Sequence, residues 1–335
     1  MARGDAGGAL TVDRYARQIA VPEVGALGQQ HIAAASILVV GAGGLGCAVL
    51  PYLCAAGVGR LILIDPDRVA TSNLHRQPLY RTEDVGLLKV GCARLGLRAL
   101  NASVEIEAHA QALTPSNVSS LVATADIVVD AADNFAVTYI LSDECARVYK
   151  PLVSASVLGL QGYVGAFCGE APSYRAVFPE LPQQAGTCAA NGVLGTAVGV
   201  MGCLQAQVAL SLLLPALRRE VTGRLISVDF RTLRFSGFSF LQAREESGGF
   251  RFIAREEVRE DDITVELRDA EEAKVPAFAS SLRSSVEAIE VHAESVARTA
   301  RVVLCCRTGV RAWRAAARLR AAGFENLVLF AAGDS

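Results

Sequence analysis

Along the first half of the chain, short runs of apolar and β-branched residues alternate with helical segments. Ser36-Ile37-Leu38-Val39-Val40, Leu61-Ile62-Leu63-Ile64, Val104-Glu105-Ile106 and Ile127-Val128-Val129-Asp130 read as strands. That alternation predicts a mostly parallel sheet covered by helices on both faces. Residues 11–35, ahead of it, have an amphipathic helical pattern. Pro151 to Ala155 and Tyr163 to Phe167 continue the sheet, and a long apolar helix follows from Val193. Arg224 to Val228 and Leu233 to Phe240 have the character of antiparallel strands. The composition shifts to Glu, Arg and Gly over 242–262, which predicts a linker between a first domain at 11–241 and a second at 263–335. The second unit ends with a strand (Arg301 to Leu304), a polar loop, a helix (Ala312 to Ala322) stopped by Gly323, and a strand (Asn326 to Phe330).

The 335 residues fit the two domains that this pattern suggests. With 52% apolar and 20% charged residues, the chain has the material for a large core and is not a disordered protein. A net charge of -2 gives no basic footprint for nucleic acid. Val193 to Leu214 is apolar but contains several glycines, Gln205 and Gln207, so a buried helix is expected there, not a membrane span. No apolar leader core follows Met1, and a cytoplasmic location is expected. The nine cysteines are odd in number and form no C-x-x-C, which argues against a disulfide framework and a zinc ribbon.

The chemistry concentrates between Ser36 and Gln77. The first strand runs into Gly41-Ala42-Gly43-Gly44-Leu45-Gly46, a Rossmann-like strand–glycine loop–helix arrangement in which backbone amides hold phosphates. Asp65 ends the second strand, where a carboxylate accepts hydrogen bonds from a ribose. These two features alone would suit a nicotinamide-dependent oxidoreductase. Ser72-Asn73-Leu74-His75-Arg76-Gln77 would then have no purpose, nor would Lys89, a lone lysine on an apolar approach to a helix. Asp133-Asn134 follows a strand's carboxyl end, the edge at which open α/β sheets bind ligands. A carboxylate there can hold Mg²⁺, while Arg76 and Lys89 offset phosphate charge.

Arg14-Tyr15-Ala16-Arg17-Gln18, Gly41 to Gly46, Asp65, Ser72 to Gln77, Lys89, Asp133-Asn134 and the run Gly186-Thr187-Cys188-Ala189-Ala190-Asn191-Gly192-Val193-Leu194-Gly195 resemble the MoeB/ThiF family, relatives of the ubiquitin-activating enzymes. The resemblance covers about 13–240, with the motifs in family order. It implies a homodimer that adenylates the C-terminal glycine of a small ubiquitin-fold sulfur carrier of the MoaD/ThiS type, using ATP and Mg²⁺. It further implies that Asp65 holds the ATP ribose, that Asp67 is among the cofactor-binding residues, that Arg76 and Lys89 hold the phosphates, and that Asp133 ligates Mg²⁺. Arg17 would reach the partner subunit's ATP site. Cys188, in a turn before the Val193 helix, would be a candidate acceptor of an acyl or sulfur group; a buried small hydrophobe is the alternative.

Relatives usually carry two C-x-x-C pairs that bind structural zinc. Here Ser173-Tyr174-Arg175-Ala176 occupies the first place, and no cysteine lies between Cys203 and Cys305 for the second. No zinc is therefore expected, and packing alone must order that lobe.

In the second unit, Cys306-Arg307-Thr308-Gly309-Val310-Arg311 resembles the rhodanese active loop, a cradle of backbone amides that stabilises a thiolate or persulfide. The resemblance makes Cys306 the sulfur-transferring residue, loaded by a persulfide donor, and Cys305 a core residue. The domain is short, and Glu266-Leu267-Arg268-Asp269 matches the family's upstream motif only loosely. Adenylation of a small molecule or a tRNA base, and a non-catalytic relative, stay open as alternatives.

Overall fold

The computed structural model describes residues 14–181, 192–245 and 248–333; Cys188 lies outside them. A helical turn at 14–19 and helix α1 (Gly25–Ala34) precede the first sheet. The turn around Pro22 thus splits the amphipathic segment into two pieces. Then follow β1 (Ser36–Val40), α2 (Gly44–Ala56), β2 (Arg60–Ile64), α3 (Lys89–Leu100), β3 (Glu105–His109), α4 (Val118–Ala123), β4 (Ile127–Asp130) and α5 (Phe135–Arg147). Next come β5 (Pro151–Leu158), β6 (Gln161–Cys168), the short α6 (Tyr174–Val177), α7 (Gly195–Leu213), α8 (Pro215–Val221), β7 (Arg224–Asp229) and β8 (Arg234–Ser239).

The eight strands lie in the order β3-β2-β1-β4-β5-β6-β7-β8. β3 through β5 pair in parallel, as the apolar alternation predicts, and β7 and β8 pair antiparallel as expected; β6 also runs antiparallel to both β5 and β7, which the sequence reading left open. β1 and β4 are central and buried on both faces, which is why they read as unbroken apolar runs. α7 is long and apolar enough to span a membrane by length and composition, yet it packs Ala197, Met201, Ala206 and Ala209 into the core with α2 and the sheet.

A second, wholly parallel sheet contains β9 (Arg251–Phe252), β10 (Ile263–Glu266), β11 (Leu282–Arg283), β12 (Val302–Cys306) and β13 (Leu327–Ala331), in the order β11-β10-β12-β13-β9. Helices α9 (Ile289–His292) and α10 (Val310–Ala321) accompany it. β9 falls inside the stretch read as a linker and pairs with β13, so the second sheet begins within that stretch. One apolar cluster runs through both units: Tyr139 and Tyr174 of the first pack with Phe250, Phe252 and Trp313 of the second. The Trp313 ring lies 4.8 Å from Tyr139 and 5.2 Å from Phe250, centroid to centroid.

Candidate active site

The site forms where β1, β2 and β4 end. Gly41 has φ +103°, and a Cβ there would sit 2.6 Å from the Ala131 carbonyl, so the glycine lets the loop pass against the end of β4. A Cβ at Gly43 would meet only Gln77 Nε2, at 3.7 Å. The backbone there is open to a ligand, beside the amino-terminal amides of α2.

Asp65 is 6% exposed and holds this turn in shape. Its Oδ2 accepts from the Ala42 amide at 2.7 Å and its Oδ1 from the Asp67 amide at 2.8 Å. Burial pushes its carboxyl above the ordinary aspartate value, against the pull of Lys89 and the two amides. Two accepted bonds leave lone pairs for a further donor.

The polar segment forms a 3₁₀ helix, Thr71–Arg76. Arg76 Nη2 donates to Asn73 Oδ1 at 2.7 Å and Nη1 to the Ser72 carbonyl at 3.2 Å, with His75 Nε2 2.8 Å from Nη1. The segment therefore fixes its own arginine. Leu74 turns its side chain to the core instead, so its place in the site is structural. Gln77 is 3% exposed, and its Oε1 has no hydrogen-bond partner among the described residues, an acceptor left over beside the glycine turn. Lys89 opens α3 as a buried ammonium whose Nζ lies 2.7 Å from Oδ2 of the exposed Asp67.

Asp133 is exposed in the loop from β4 to α5, and Asn134 caps α5 by accepting the Ala136 amide at 2.9 Å. The sequence pattern did not mark the groups beneath. Tyr80 donates its hydroxyl to the Ala42 carbonyl at 2.7 Å, and Gln205 Nε2 donates to the Asp130 carbonyl at 2.6 Å. Asp130 accepts from Thr138, Ser154 and the Ala132 amide, and burial raises its carboxyl to about 6. Only the polarity of such residues inside apolar runs could have pointed to them.

Arg17 is not part of this gathering. Its helical turn packs at the far end of α2, where Gln18 Nε2 donates to the Ala56 carbonyl and Tyr15 abuts Gly57. α2 has 13 residues, so about 20 Å separate that end from the glycine turn.

Cys306 lies in the second sheet. β12 alternates faces, so Cys305 joins the small cluster with Phe330 and Cys306 the large one shared with the first unit. Cys306 Sγ accepts the amides of Gly309 (3.2 Å) and Ala312 (3.3 Å), the cradle that the loop pattern implies. Burial nevertheless raises its thiol, outweighing those amides and the charge of Arg311. Gly309 has φ +84°, and a Cβ there would lie 2.6 Å from Phe252 Cε1 and 3.2 Å from Ala136 Cβ. The thiol loop thus rests on the first turn of α5, three residues beyond Asp133.

At the place of the first C-x-x-C, Ser173 caps α6 and donates from its Oγ to Glu245 Oε2 at 2.6 Å. Arg175 stacks on Tyr139 and Trp313, makes two bonds to Asp143 and donates to the Phe250 carbonyl.

A glycine turn between parallel strands, with cationic and carboxylate groups at the carboxyl edge, defines a nucleotide-binding α/β protein. Residues 15–248 match the ThiF family, and the chain belongs to that family. It is 46% identical over 231 residues to "Adenylyltransferase and sulfurtransferase MOCS3" of Bos taurus, covering 67% of this chain and 50% of that protein. It is 44% identical over 226 residues to "Sulfur carrier protein adenylyltransferase" of Thermus thermophilus, covering 65% and 83%. It is 41% identical over 230 residues to "SAMP-activating enzyme E1" of Haloferax volcanii, covering 68% and 84%. The chain spans about half the length of the MOCS3 proteins it matches. Among solved structures, E. coli MccB with ATP superposes with a TM-score of 0.60 at 21% identity, covering 68% of this chain and 71% of that one, and shares the fold.

Proposed function

We propose that this chain activates the C-terminal glycine carboxylate of a small ubiquitin-fold sulfur carrier by adenylation, with ATP and Mg²⁺, releasing pyrophosphate. The observation that carries this reading is the gathering of Arg76, Lys89, Gln77 and the Asp133 loop around an open glycine turn. Carboxylate and triphosphate are both anions. Arg76 and Lys89 suppress their repulsion so that the carboxylate attacks the α-phosphorus in line. Asp65 turns its spare lone pairs to the ribose. Asp133 is the Mg²⁺ ligand, a hard oxygen donor for a hard cation. The names of the Thermus and Haloferax relatives support a protein acceptor over a small molecule or a tRNA base.

Arg17 is too far from its own glycine turn to serve it, which supports a homodimer in which each Arg17 completes the partner's site. In the second domain, a Cys306 persulfide made by a persulfide donor attacks the adenylate carbonyl. The carbon–oxygen bond to AMP breaks, and a thiol reductant then cleaves the acyl disulfide to the thiocarboxylate. Zinc has no part in this account, since Ser173 and Ala176 supply no ligands.

The test is ATP–pyrophosphate exchange with a ubiquitin-fold carrier ending in Gly-Gly. Carrier-dependent exchange that falls about 100-fold or more in Asp133→Ala is expected. Exchange that ignores the carrier, or none at all, would overturn the reading.

A further inference from the structure

Asp130 ends β4 with a carboxylate that is only 1% exposed. Among the described residues its hydrogen-bond partners are neutral. Oδ1 accepts the Ala132 amide at 3.2 Å, and Oδ2 accepts the hydroxyls of Thr138 at 2.7 Å and Ser154 at 2.9 Å. The three donors come from the Asp133 loop, from α5 and from β5, the elements that meet beneath Asp133. From the opposite face, Gln205 Nε2 of α7 bonds the Asp130 carbonyl and, at 3.1 Å, the Val153 carbonyl.

A buried carboxylate with no cation beside it costs stability. An amide could keep part of this bonding without the charge, so folding alone does not call for an acid here. What the acid adds is acceptors only: two oxygens take three donors, where an amide offers a single oxygen and presents hydrogens to the remaining donor. It thereby fixes the loop amide next to Asp133 and the turn of α5 that Asn134 caps.

We infer that Asp130 is a positioning residue for the adenylation step, holding the loop that carries Asp133 at the geometry the reaction needs. The inference rests on the adenylation reading above. Through Thr138 the same carboxylate steadies the start of α5, on which Gly309 of the thiol loop rests.

The test compares wild type, Asp130→Asn and Thr138→Val in carrier-dependent ATP–pyrophosphate exchange, with ATP and Mg²⁺ varied separately and Tm recorded for each. Asp130→Asn is expected to lose tenfold or more in kcat and to need more Mg²⁺, with KM for ATP within about threefold and no fall in Tm. Thr138→Val, which removes one of the three bonds, should lose about threefold in the same parameter. Should Asp130→Asn exchange within twofold of wild type, or should its loss follow the unfolded fraction, the positioning role is overturned. Absence of exchange in wild type would strike the adenylation reading itself, and the positioning role with it.

Discussion

Replacing Arg175 should loosen the join between the two sheets. Its guanidinium donates to Asp143 at 2.5 and 2.9 Å and to the Phe250 carbonyl at 2.9 Å, and it lies 4.6 Å from the Tyr139 centroid and 5.5 Å from that of Trp313. Asp143 is 38% exposed, so solvent screens the ion pair and its Coulomb part counts for little. The charged bond to the Phe250 carbonyl is worth about 1.5–3 kcal/mol, and the ring contacts add about 0.5–2 kcal/mol. Against these stands Nη1, buried without a partner among the described residues, which costs about 1–3 kcal/mol. The net loss in Arg175→Ala comes to roughly 1–3 kcal/mol, without strict additivity. Urea unfolding followed by Trp313 fluorescence measures it, because the only tryptophan sits at the join. Arg175→Lys, which keeps the charge but loses the planar fork, should recover less than half. Because Ser173 and Ala176 stand where the family resemblance expects the first C-x-x-C pair, a chelator should leave the wild-type transition unmoved. An Arg175→Ala change below about 0.5 kcal/mol, the scatter of ordinary surface substitutions, or a transition that shifts on chelation, would refute the reasoning.

Three further outcomes follow from the site. Burial raises Asp130 to about 6 in the fold, above the ordinary 3.8, so the folded chain binds the extra proton between those values. Its contribution therefore falls by about 3 kcal/mol as pH rises through that window; Asp130→Asn should flatten that slope, and parallel wild-type and variant profiles between pH 4 and 6.5 would contradict it. Cys306 is fully buried, so iodoacetamide should modify it about 100-fold more slowly in the folded than in the unfolded chain. Phe252→Ala should speed that reaction, whereas rapid wild-type modification mapped by mass spectrometry would show the loop open. Mixed Arg17→Ala and Asp133→Ala chains, each inactive alone, should recover about a quarter of wild-type exchange if every site takes Arg17 from its partner. No recovery would place Arg17 in its own subunit's site, and an Arg17→Ala chain active alone would place it outside catalysis.

The parts of this fold that show in the sequence are those with a local cause. β1, β2 and β4 are buried on both faces and therefore read as apolar runs. The glycine turn shows itself because Gly41 must pass Ala131 so closely. β9 does not, since its two residues, Arg251 and Phe252, lie in a charged stretch and become a strand only through β13, some 75 residues later. The 3₁₀ helix at Thr71–Arg76 is too short and polar for a hydrophobic period to form. In the candidate site, Arg76, Lys89 and Asp133 stand out in the sequence by type and order, whereas Tyr80, Asp130 and Gln205 act through bonds to groups distant in the chain and leave no local pattern. The burial of Cys306 is likewise tertiary: it comes from the cluster that Phe252 and α5 share, which no local pattern announces.

The most direct test of the central claim is to trap the activated acceptor. A ubiquitin-fold carrier ending in Gly-Gly is incubated with the chain, ATP and Mg²⁺, quenched with hydroxylamine and weighed intact by mass spectrometry. Conversion of the carrier's C-terminus to the hydroxamate, dependent on ATP and abolished in Asp133→Ala, is the predicted result. A carrier left unmodified while ATP is consumed, or one modified equally well without its terminal glycine, would contradict the account.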